Sequence, residues 1–597
     1  PAFAAYAQLL ADLAALPSIG ARLRLHAAAA VSARLALLKR RAARFGFADL
    51  LERLDAALAP AAPTAARLRE RILAQHPVAL VDEFQDTSPI QARIFDRLYR
   101  CAADDPATAL LLIGDPKQSI YAFRGADIQS YLRARRATAG RHERLATNHR
   151  STAALVEAVN HLFASAEARP GPGAFLFRSA LDDPLPYVPV GARGRDDAFV
   201  TGAGRPPALT FELDATLRDG TSSRRLQAAR CAERIAQRLA DAEAGFEAPD
   251  LPQRRRLRPA DIAVLVRDGR EAAAVRRELR RRGVAAVYLS DRDSVYASGE
   301  ARDLLRWLEA VAAPRDARLA RAAWATRLAG LTLAELLRLS DDDLEFDARV
   351  ADLQRLQLIW KEQGVLTMLR RTVQLLELPA RWRVADAAPA EGERRLTNLL
   401  HLAELLQAAS AGLEGEAALI RWLAQRCAGG DAGDEQILRL ESDADRVQIV
   451  TIYKSKGLEY PLVFLPFATA VRGAGGAGSP VLVREDAEGR RRLVLEPDAD
   501  DLEAERIDAL RESTRLLYVA LTRARHAVWV GLAALRRGPG GACVWSESAI
   551  GRLLAGEVSP APEELPERLR RGLEPCAAIA LVAAPAEPAC TRVPQAA

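Results

Sequence analysis

The chain has 597 residues, of which 49% are hydrophobic and 27% are charged, and its formal net charge is +6. At about 150 residues per domain, this length predicts about four domains and excludes a single core. The sequence has no run of about 18 uncharged apolar residues, which argues against a membrane span. A net charge this small permits a nucleic-acid partner without indicating one.

The numbers and positions of lysine and cysteine residues give further information about the kind of protein this is. Five of the 84 basic residues are lysine, so each retained lysine indicates a position where the residue type matters; they are Lys39, Lys117, Lys361, Lys454 and Lys456. The six cysteines are scattered without a C-x-x-C, which disfavours a zinc ribbon or a disulfide framework and favours a reducing cytoplasm. The chain starts at Pro1 without a signal peptide, so we expect a cytoplasmic protein and an internal piece of a longer one.

The first part of the chain predicts helices followed by two strands. Residues 1–75 are rich in Ala, Leu and Arg, which are good helix formers. Residues 78–81 and 109–113 are short apolar runs closed by polar residues, a pattern typical of buried parallel strands. Functional groups in open α/β sheets lie at the carboxyl ends of such strands.

The remaining elements predict an α/β fold that contains a helical insertion. Residues 186–210 form a loop rich in Pro and Gly, and residues 300–440 are almost wholly helical in periodicity. The other predicted elements are strands at 262–266, 447–452, 462–465 and 527–530, helices at 270–282 and 511–525, a Gly-rich loop at 468–480, and a linker or tail from about 556.

The two early strands each lead into a candidate functional segment. In VALVDEFQD, adjacent Asp82 and Glu83 suit metal binding and proton acceptance from water, although a bare pair of this kind is more often a solvated loop. In LLLIGDPKQSIYAFRGAD, Gln118 suits contact with a phosphate. The aromatic residues Tyr121 and Phe123, beside an arginine, suit base stacking, with core packing as the alternative.

Three later segments carry basic groups suited to phosphate. TNHRS contains Arg150, a candidate arginine finger, with a surface charge as the alternative. VQIVTIYKSKGLEY combines two lysines with Gly457, which permits close approach of a phosphate chain. ESTRLLYVALTRAR places Arg515 and Arg523 on one helix, and its alternative is an amphipathic helix with solvated arginines.

The order and spacing of these segments resemble the UvrD-like superfamily 1 DNA helicases and, more narrowly, the RecB family of exodeoxyribonuclease V beta subunits. The resemblance covers about residues 45–550. It rests on FGFADLLERLDAAL (45–58), VDEFQDTSPIQ (81–91), GDPKQSIYAFRGADI (114–128), VYLSDRDSVY (287–296), GERRLTNLLHLAELLQ (392–407) and RLESDADRVQIVTIYKSKGLEYPLVFLPF (439–467).

The resemblance implies a role for each matching residue. For catalysis and nucleotide binding, it implies Asp82 for Mg²⁺, Glu83 for the attacking water, Gln118, Arg150 and Arg523 for the γ-phosphate, Glu459 for the ribose, and His149 for stacking on adenine. For the single-stranded DNA track, it implies Tyr121, Phe123, Arg124, Thr451, Tyr453 and Lys454, with Lys117 and Lys456 near phosphate or supporting a motif.

The resemblance also implies two RecA-like motor domains with parallel sheets. We expect an incomplete first motor domain at 1–146, a second at 147–300 and 441–550, a helical insertion at 301–440, and a linker or tail at 551–597 toward a nuclease domain. The implied cofactors are ATP and Mg²⁺. The implied partners are single- and double-stranded DNA and RecC-like gamma and RecD-like alpha subunits in a heterotrimer, with no membrane. The implied activity is unwinding of DNA ends for recombinational break repair, together with a nuclease.

Departures from the family pattern keep alternatives open. His149 stands where a large aromatic is usual, and Tyr453 replaces the usual histidine. No G-x-x-x-x-G-K-[ST] phosphate loop occurs, so this chain alone is expected to be inactive as an ATPase. No nuclease cluster of carboxylates and lysine follows residue 550. The alternatives are an ATPase-inactive DNA-binding or scaffold chain, an AddA-type subunit and a UvrD-type repair helicase.

Overall fold

The computed structural model describes residues 2–15, 19–249, 253–289, 295–384, 389–428, 445–471, 481–485, 491–538 and 540–593. The chain divides into two compact units, residues 1–286 with 447–597 and residues 287–446. Most of the predicted Gly-rich loop at 468–480 lies outside the described residues, as do residues 290–294 and 439–444 of the quoted motifs.

The first unit begins with helices, as their composition predicts. They are α1 (Ala2–Ala15), α2 (Ile19–Arg41), α3 (Phe47–Ala57) and α4 (Ala65–Gln75). The side chains of α2 are exposed along almost its whole length, and Ala21 is its only buried residue. Lys39 near the end of α2 is paired with Asp49 of α3 at 2.8 Å.

A two-stranded parallel sheet follows. We call this sheet and its neighbouring helices, residues 45–146, the two-strand region. Strand β1 (Val78–Val81) pairs with β2 (Ala109–Leu112) in register, Val78 opposite Ala109. Helix α5 (Pro89–Tyr99) lies between them in sequence, and α6 (Ile128–Ala137) follows. Both predicted strands and their parallel pairing are therefore confirmed, but the expected burial is wrong for Val78, Leu80 and Leu111, whose side chains are exposed because one face of the pair is uncovered. One face of the pair packs on a cluster formed by Leu58, Ile94, Leu98 and Tyr99.

The chain then builds a larger sheet from residues 147–286 and 447–593, which we call the seven-strand region. Its elements before residue 290 are β3 (Thr147–Asn148), α7 (Ala153–Glu167), β4 (Gly191–Ala192), β5 (Ala198–Val200), β6 (Leu209–Arg218), α8 (Gly220–Ala240), β7 (Gly245–Glu247), β8 (Arg255–Arg256), β9 (Ile262–Val266), α9 (Gly269–Arg281) and β10 (Ala286–Leu289).

The second compact unit is helical, which confirms the periodicity seen at 300–440. Its helices are α10 (Gly299–Ala312), α11 (Ala317–Trp324), α12 (Leu333–Asp341), α13 (Asp343–Gln363), α14 (Val365–Leu375), α15 (Leu378–Val384), α16 (Pro389–Ser410) and α17 (Glu416–Cys427). Its core is mainly apolar, with the rings of Trp307 and Trp324 edge to face at 5.2 Å.

The chain returns to the first unit after residue 446. The elements there are β11 (Val447–Thr451), α18 (Ile452–Ser455), β12 (Tyr460–Leu465), β13 (Leu482–Glu485), β14 (Arg491–Val494), α19 (Ala499–Leu521), β15 (Ala524–Leu535), α20 (Ala549–Ala555), α21 (Leu565–Leu573) and β16 (Ile579–Ala583).

The strand order of the large sheet is β10-β11-β9-β12-β15-β6-β16. The strands from β11 to β16 in this order pair in parallel. Every residue of β9 and β12 is buried, as expected of strands covered by helices on both faces. The predicted α/β class is thus confirmed, with a large parallel sheet, while the domain boundaries drawn from the sequence stay predictions.

The structure corrects the expectation of an irregular tail. Residues 565–573 form α21, and β16 pairs with β6, Ile579 opposite Leu209. The seven prolines from 556 onward suggested a linker, but they lie outside these two elements except for Pro566, which falls in the first turn of α21, where proline is tolerated. The sequence analysis also predicted no strand at Leu209–Arg218, the residues that form β6.

None of the helices in the described parts of the chain is both long enough and apolar enough to cross a membrane.

Candidate functional site

The carboxyl ends of β1 and β2 lie side by side, and each carries part of the candidate site. The ladder continues past the strands, because Phe84 N donates to Ile113 O at 2.9 Å. Asp82 and Glu83 follow β1 directly and are both exposed. The amide of Glu83 donates to Asp82 Oδ1 at 2.8 Å, and Glu83 has φ of 50°, a left-handed conformation that is costly for a residue other than glycine.

Gln85 ties the two strand ends together. Its side chain is fully buried; Nε2 donates to Glu83 Oε2, and Oε1 accepts from Asp115 N at 3.0 Å. A Cβ at Gly114 would clash with this Oε1, so the close approach requires glycine. The position of the Glu83 carboxylate therefore depends on the loop that follows β2.

The turn after β2, residues 114–121, presents Gln118 and two backbone carbonyls to the seven-strand region. Gln118 Nε2 donates to Asp115 Oδ2 at 3.0 Å, so its amide is held within the turn. The carbonyl of Gln118 accepts from Lys456 Nζ at 3.1 Å. The carbonyl of Ser119 accepts from Arg515 Nε at 2.7 Å.

Lys456 links this turn to the acidic segment after β1. Its ammonium lies 2.5 Å from Asp86 Oδ2 and 3.3 Å from Glu83 Oε2, and its side chain is 6% exposed. Burial raises the pKa of Asp86, against the opposing effect of the neighbouring Lys456 charge. The chain thus buries an ion pair between residues 370 positions apart.

An aromatic cluster forms the other side of the turn. The ring of Phe123 contacts Tyr121 and Tyr453 edge to face, at centroid distances of 6.0 and 5.1 Å. Tyr121 Oη donates to Tyr453 O at 2.9 Å. The guanidinium of Arg124 lies over both neighbouring rings, at 5.2 and 5.6 Å from their centroids, and Phe123 is 54% exposed. Four predicted DNA-track residues, Tyr121, Phe123, Arg124 and Tyr453, therefore lie together, and Phe123 and Arg124 are exposed.

Two arginines of the seven-strand region lie within electrostatic reach of each other. Arg150 Nε donates to Glu459 Oε2 at 3.0 Å, and its Nη1 donates to Thr522 O at 3.2 Å. Arg523 is 1% exposed and donates to the carbonyls of Val519 and Leu458 and to the hydroxyl of Thr522. All three of these acceptors are uncharged, so among the described residues no carboxylate contacts this buried guanidinium directly.

The charges that shift the pKa of Arg523 indicate which groups lie near its guanidinium. Burial, and next the positive charge of Arg150, lowers the pKa of Arg523 to about 10. The negative charges of Glu83 and Asp115 act in the opposite direction on the same guanidinium. Arg523 nevertheless stays charged at neutral pH, so an anion is the group that would relieve its burial.

A UvrD/REP helicase N-terminal domain matches residues 7–139, and a UvrD-like helicase C-terminal domain matches residues 367–534. The RecBCD enzyme subunit RecB of Escherichia coli is 41% identical over 93% of this chain and 45% of its own length. The chain belongs to the UvrD-like helicase family.

Other RecB relatives support the same placement. The RecBCD enzyme subunit RecB of Haemophilus influenzae is 36% identical over 82% of this chain and 38% of its own length. That of Mycolicibacterium smegmatis is 36% identical over 92% of this chain and 49% of its own length. The chain spans about half the length of the curated relatives it matches.

Two further predicted site residues of this UvrD-like chain, His149 and Thr451, lie outside the contacts described above. His149 is exposed beside Arg150, where its ring is accessible to a stacking partner. Thr451 Oγ1 accepts from Lys454 N at 3.3 Å and so caps α18, a structural role the motif alone did not indicate. The structure brings together Glu83, Gln118 and the aromatic cluster through Lys456, and it places Arg150 beside Glu459.

Sequence reasoning missed three residues that hold this site in place. The sequence analysis assigned no role to Gln85 or Asp86, and it placed Arg515 only on one helix with Arg523. Arg515 is buried, its Nη1 lacks a hydrogen-bond partner in the described structure, and burial lowers its pKa to about 10. A lysine retained in an arginine-rich chain was the available signal for Lys456.

Proposed function

We propose that this UvrD-like chain carries the motor of an ATP-dependent DNA helicase subunit of the RecB type, which unwinds double-stranded DNA ends for recombinational repair. One observation carries the proposal: Arg523 is a buried cation without a carboxylate partner, placed with Arg150 where the charge of Glu83 reaches it. A terminal phosphate between the carboxylate and the arginines would complete that arrangement.

The residues present fit the γ-phosphate end of a magnesium nucleotide. Mg²⁺ is usually held by one or two carboxylates together with phosphate oxygens and water. Asp82 is exposed and supplies one such carboxylate, and no cluster of three or more metal-ligating side chains occurs among the described residues. Bound with its nucleotide, the ion would supply charge neutralisation on the phosphates.

Glu83 would accept a proton from the attacking water, and Gln118 would orient the γ-phosphate. Arg150 and Arg523 would stabilise the negative charge that develops on the phosphoryl group, an effect worth about 10³–10⁵ in rate for one arginine finger. To reach the phosphate, Arg150 would have to exchange part of its contact with Glu459, which leaves that carboxylate available for the ribose. His149 would stack on the adenine.

The aromatic cluster of Tyr121, Phe123 and Tyr453 would form the single-stranded DNA track. Stacking on aromatic rings is tolerant of sequence and worth about 1–3 kcal/mol per base, which suits a protein that moves along DNA. Arg124 lies on the same exposed surface. Thr451 and Lys454 lie next to Tyr453 at the start of α18, where they would contact the DNA backbone.

RecC-like gamma and RecD-like alpha subunits are the proposed protein partners. The basis is the RecBCD name carried by the relatives in Escherichia coli, Haemophilus influenzae and Mycolicibacterium smegmatis. A nuclease activity in the assembled enzyme rests on the same resemblance.

Binding of a fluorescent dT oligonucleotide, measured by anisotropy, tests the DNA track. We expect Phe123→Ala to weaken binding about tenfold, since one stacked base is worth about 1–3 kcal/mol. The affinity should also fall steeply with salt, because phosphate contacts release counterions. The exposed Phe47→Ala of α3, at 89% exposure, is the matched control. Equal affinities for the Phe123 variant and the control, or a flat salt titration, would contradict the proposal.

An ATPase-inactive DNA-binding chain is the second candidate. The specific observation in its favour is that no G-x-x-x-x-G-K-[ST] occurs in the 597 residues. ATP hydrolysis by the purified chain, with and without dT oligonucleotide, addresses this directly. We expect little turnover in either condition, and a robust DNA-stimulated rate would refute the dependence on a phosphate loop.

A further inference from the structure

Among the residues that the structure describes, Lys456 contacts the acidic segment, the turn after β2 and the aromatic cluster at once. Its ammonium has three hydrogen-bond donors. The ammonium donates to Asp86 Oδ2 at 2.5 Å and to Gln118 O at 3.1 Å, and it forms an ion pair with Glu83 Oε2 at 3.3 Å. All three partners belong to the two-strand region, whereas Lys456 follows α18 in the seven-strand region.

The same ammonium also lies over the ring of Tyr121, 5.1 Å from its centroid. A cation over an aromatic face is attracted by the ring quadrupole, and the attraction is stronger when the pair is shielded from water. Tyr121 is fixed in turn by its hydrogen bond to Tyr453 O and by its edge contact with Phe123. The path from the exposed Phe123 to the Glu83 carboxylate therefore passes through two side chains, Tyr121 and Lys456.

Two other contacts hold the turn or Glu83 without joining Glu83 to the seven-strand region. Arg515 Nε holds the next carbonyl, that of Ser119. Gln85 joins Glu83 to the turn, but from within the two-strand region. In the part of the chain that the structure describes, Lys456 is the residue whose side chain pairs with Glu83 from the seven-strand region.

We infer that Lys456 is a positioning residue that transmits occupancy of the DNA track to the Glu83 carboxylate. The inference deepens the proposed function and rests on it, since it assigns the coupling within the same site. A base stacked on Phe123 and Tyr453 would fix the Tyr121 ring, the ring would fix the ammonium, and the ammonium would fix Glu83. Loss of the lysine leaves the partly buried Asp86 without this partner and removes one of the contacts that hold the turn to the seven-strand region, while the contacts of Arg515 with Ser119 and of Tyr121 with Tyr453 remain.

The experiment compares Lys456→Met, Lys456→Arg and Asp86→Asn in the full 597-residue chain. The control is Lys361→Met, which removes the same charge from an exposed position on α13. Two quantities are measured: the dissociation constant for a dT oligonucleotide, and hydrogen exchange of the amides in residues 114–121. Lys456→Arg keeps the charge and the donors, so it also serves if Lys456→Met fails to fold.

We expect Lys456→Met to raise the dissociation constant about tenfold, within the usual range for coupling between sites, and to speed exchange in 114–121. Lys456→Arg should recover most of the affinity, and Lys361→Met should match the wild type. Asp86→Asn should weaken binding although Asp86 lies outside the aromatic cluster. The double variant Lys456→Met/Asp86→Asn should bind no more weakly than Lys456→Met, because the two residues act as a pair.

Three results would overturn the inference: unchanged exchange in 114–121 for Lys456→Met, faster exchange with unchanged dT affinity, or additive losses in the double variant. Failure of the proposed function is recognised separately. In that case the wild type itself shows no salt-dependent binding of dT, and the exchange measurement still decides whether Lys456 anchors the turn.

Discussion

The two parallel sheets of the first unit come from the same kind of sequence and end in different environments. In β1 and β2, Leu80 is 65% exposed and Leu111 is 47% exposed, so one face of the pair is open. In β9 and β12, every residue is buried. Short apolar runs predicted the strands of both sheets, but only β9 and β12 are covered on both faces. An apolar run thus reports that a strand forms, while its neighbours decide how much of it is buried.

The two regions also differ in where their charges lie. The acidic segment after β1 keeps Asp82 and Glu83 exposed, as a site for chemistry requires. The seven-strand region buries complete ion pairs, with Arg282 placed 2.9 Å from Glu233 and 3.1 Å from Glu278. The first region therefore presents the exposed carboxylates that we propose as reactive groups, and the second contains the buried ion pairs.

The largest expected loss of stability follows from removing Arg282 from its buried ion pairs with Glu233 and Glu278. Arg282 also donates to Ala589 O, and Glu233 accepts from Thr591, so the pair fastens the segment after β16. Removing one partner of a buried pair costs about 3–5 kcal/mol, because the other charge stays buried. Arg282→Met should therefore lower the free energy of unfolding by about that amount in urea denaturation.

The control for this loss is Arg570→Met. Arg570 pairs with Glu567, but both side chains are more than half exposed, and exposed pairs contribute about 0–1 kcal/mol. Equal losses for the two variants would show that the segment after β16 is not fastened as described.

A matched pair of leucines tests the difference between the sheets. Leu462 in β12 is 3% exposed and Leu80 in β1 is 65% exposed. Leu462→Ala should cost about 2–5 kcal/mol from lost burial and the cavity left behind, whereas Leu80→Ala should cost less than about 1 kcal/mol. Urea midpoints measure both. A large loss for Leu80→Ala would mean that the open face of β1 is covered in solution.

The smallest expected effect depends on pH. Burial raises the pKa of Glu271, at the start of α9, to about 7, against the hydrogen bond from Arg267 N. The folded chain therefore holds a proton that the unfolded chain releases above about 4.5. Stability accordingly falls as the pH rises from about 4.5 to 7 and stays lowered above that range.

Glu271→Gln removes this dependence. The variant should gain on the order of 1–3 kcal/mol over the wild type at pH 8 and little at pH 5, as urea denaturation at the two pH values would measure. The exposed Glu563→Gln is the control. A variant whose advantage is the same at both pH values would show that Glu271 is ionised throughout.

The order of the motifs, the helical region and most buried strands were predictable from sequence because they depend on local pattern. Asp127 and Ser88 cap α6 and α5 directly from their positions before those helices. Local pattern also indicated the candidate site residues Glu83, Gln118, Phe123 and Arg523. Their chemical roles stay predictions, and so does the division into motor domains.

The tertiary structure decided what local pattern cannot contain. It placed β16 in the large sheet, left one face of β1 and β2 open, and set Lys456 against Asp86 across 370 positions of the chain. Such contacts depend on how separate elements pack, and periodicity within a segment carries no record of its distant neighbours. Local pattern therefore indicated most of the candidate groups, whereas packing added Gln85, Asp86 and Arg515 and determined which groups touch.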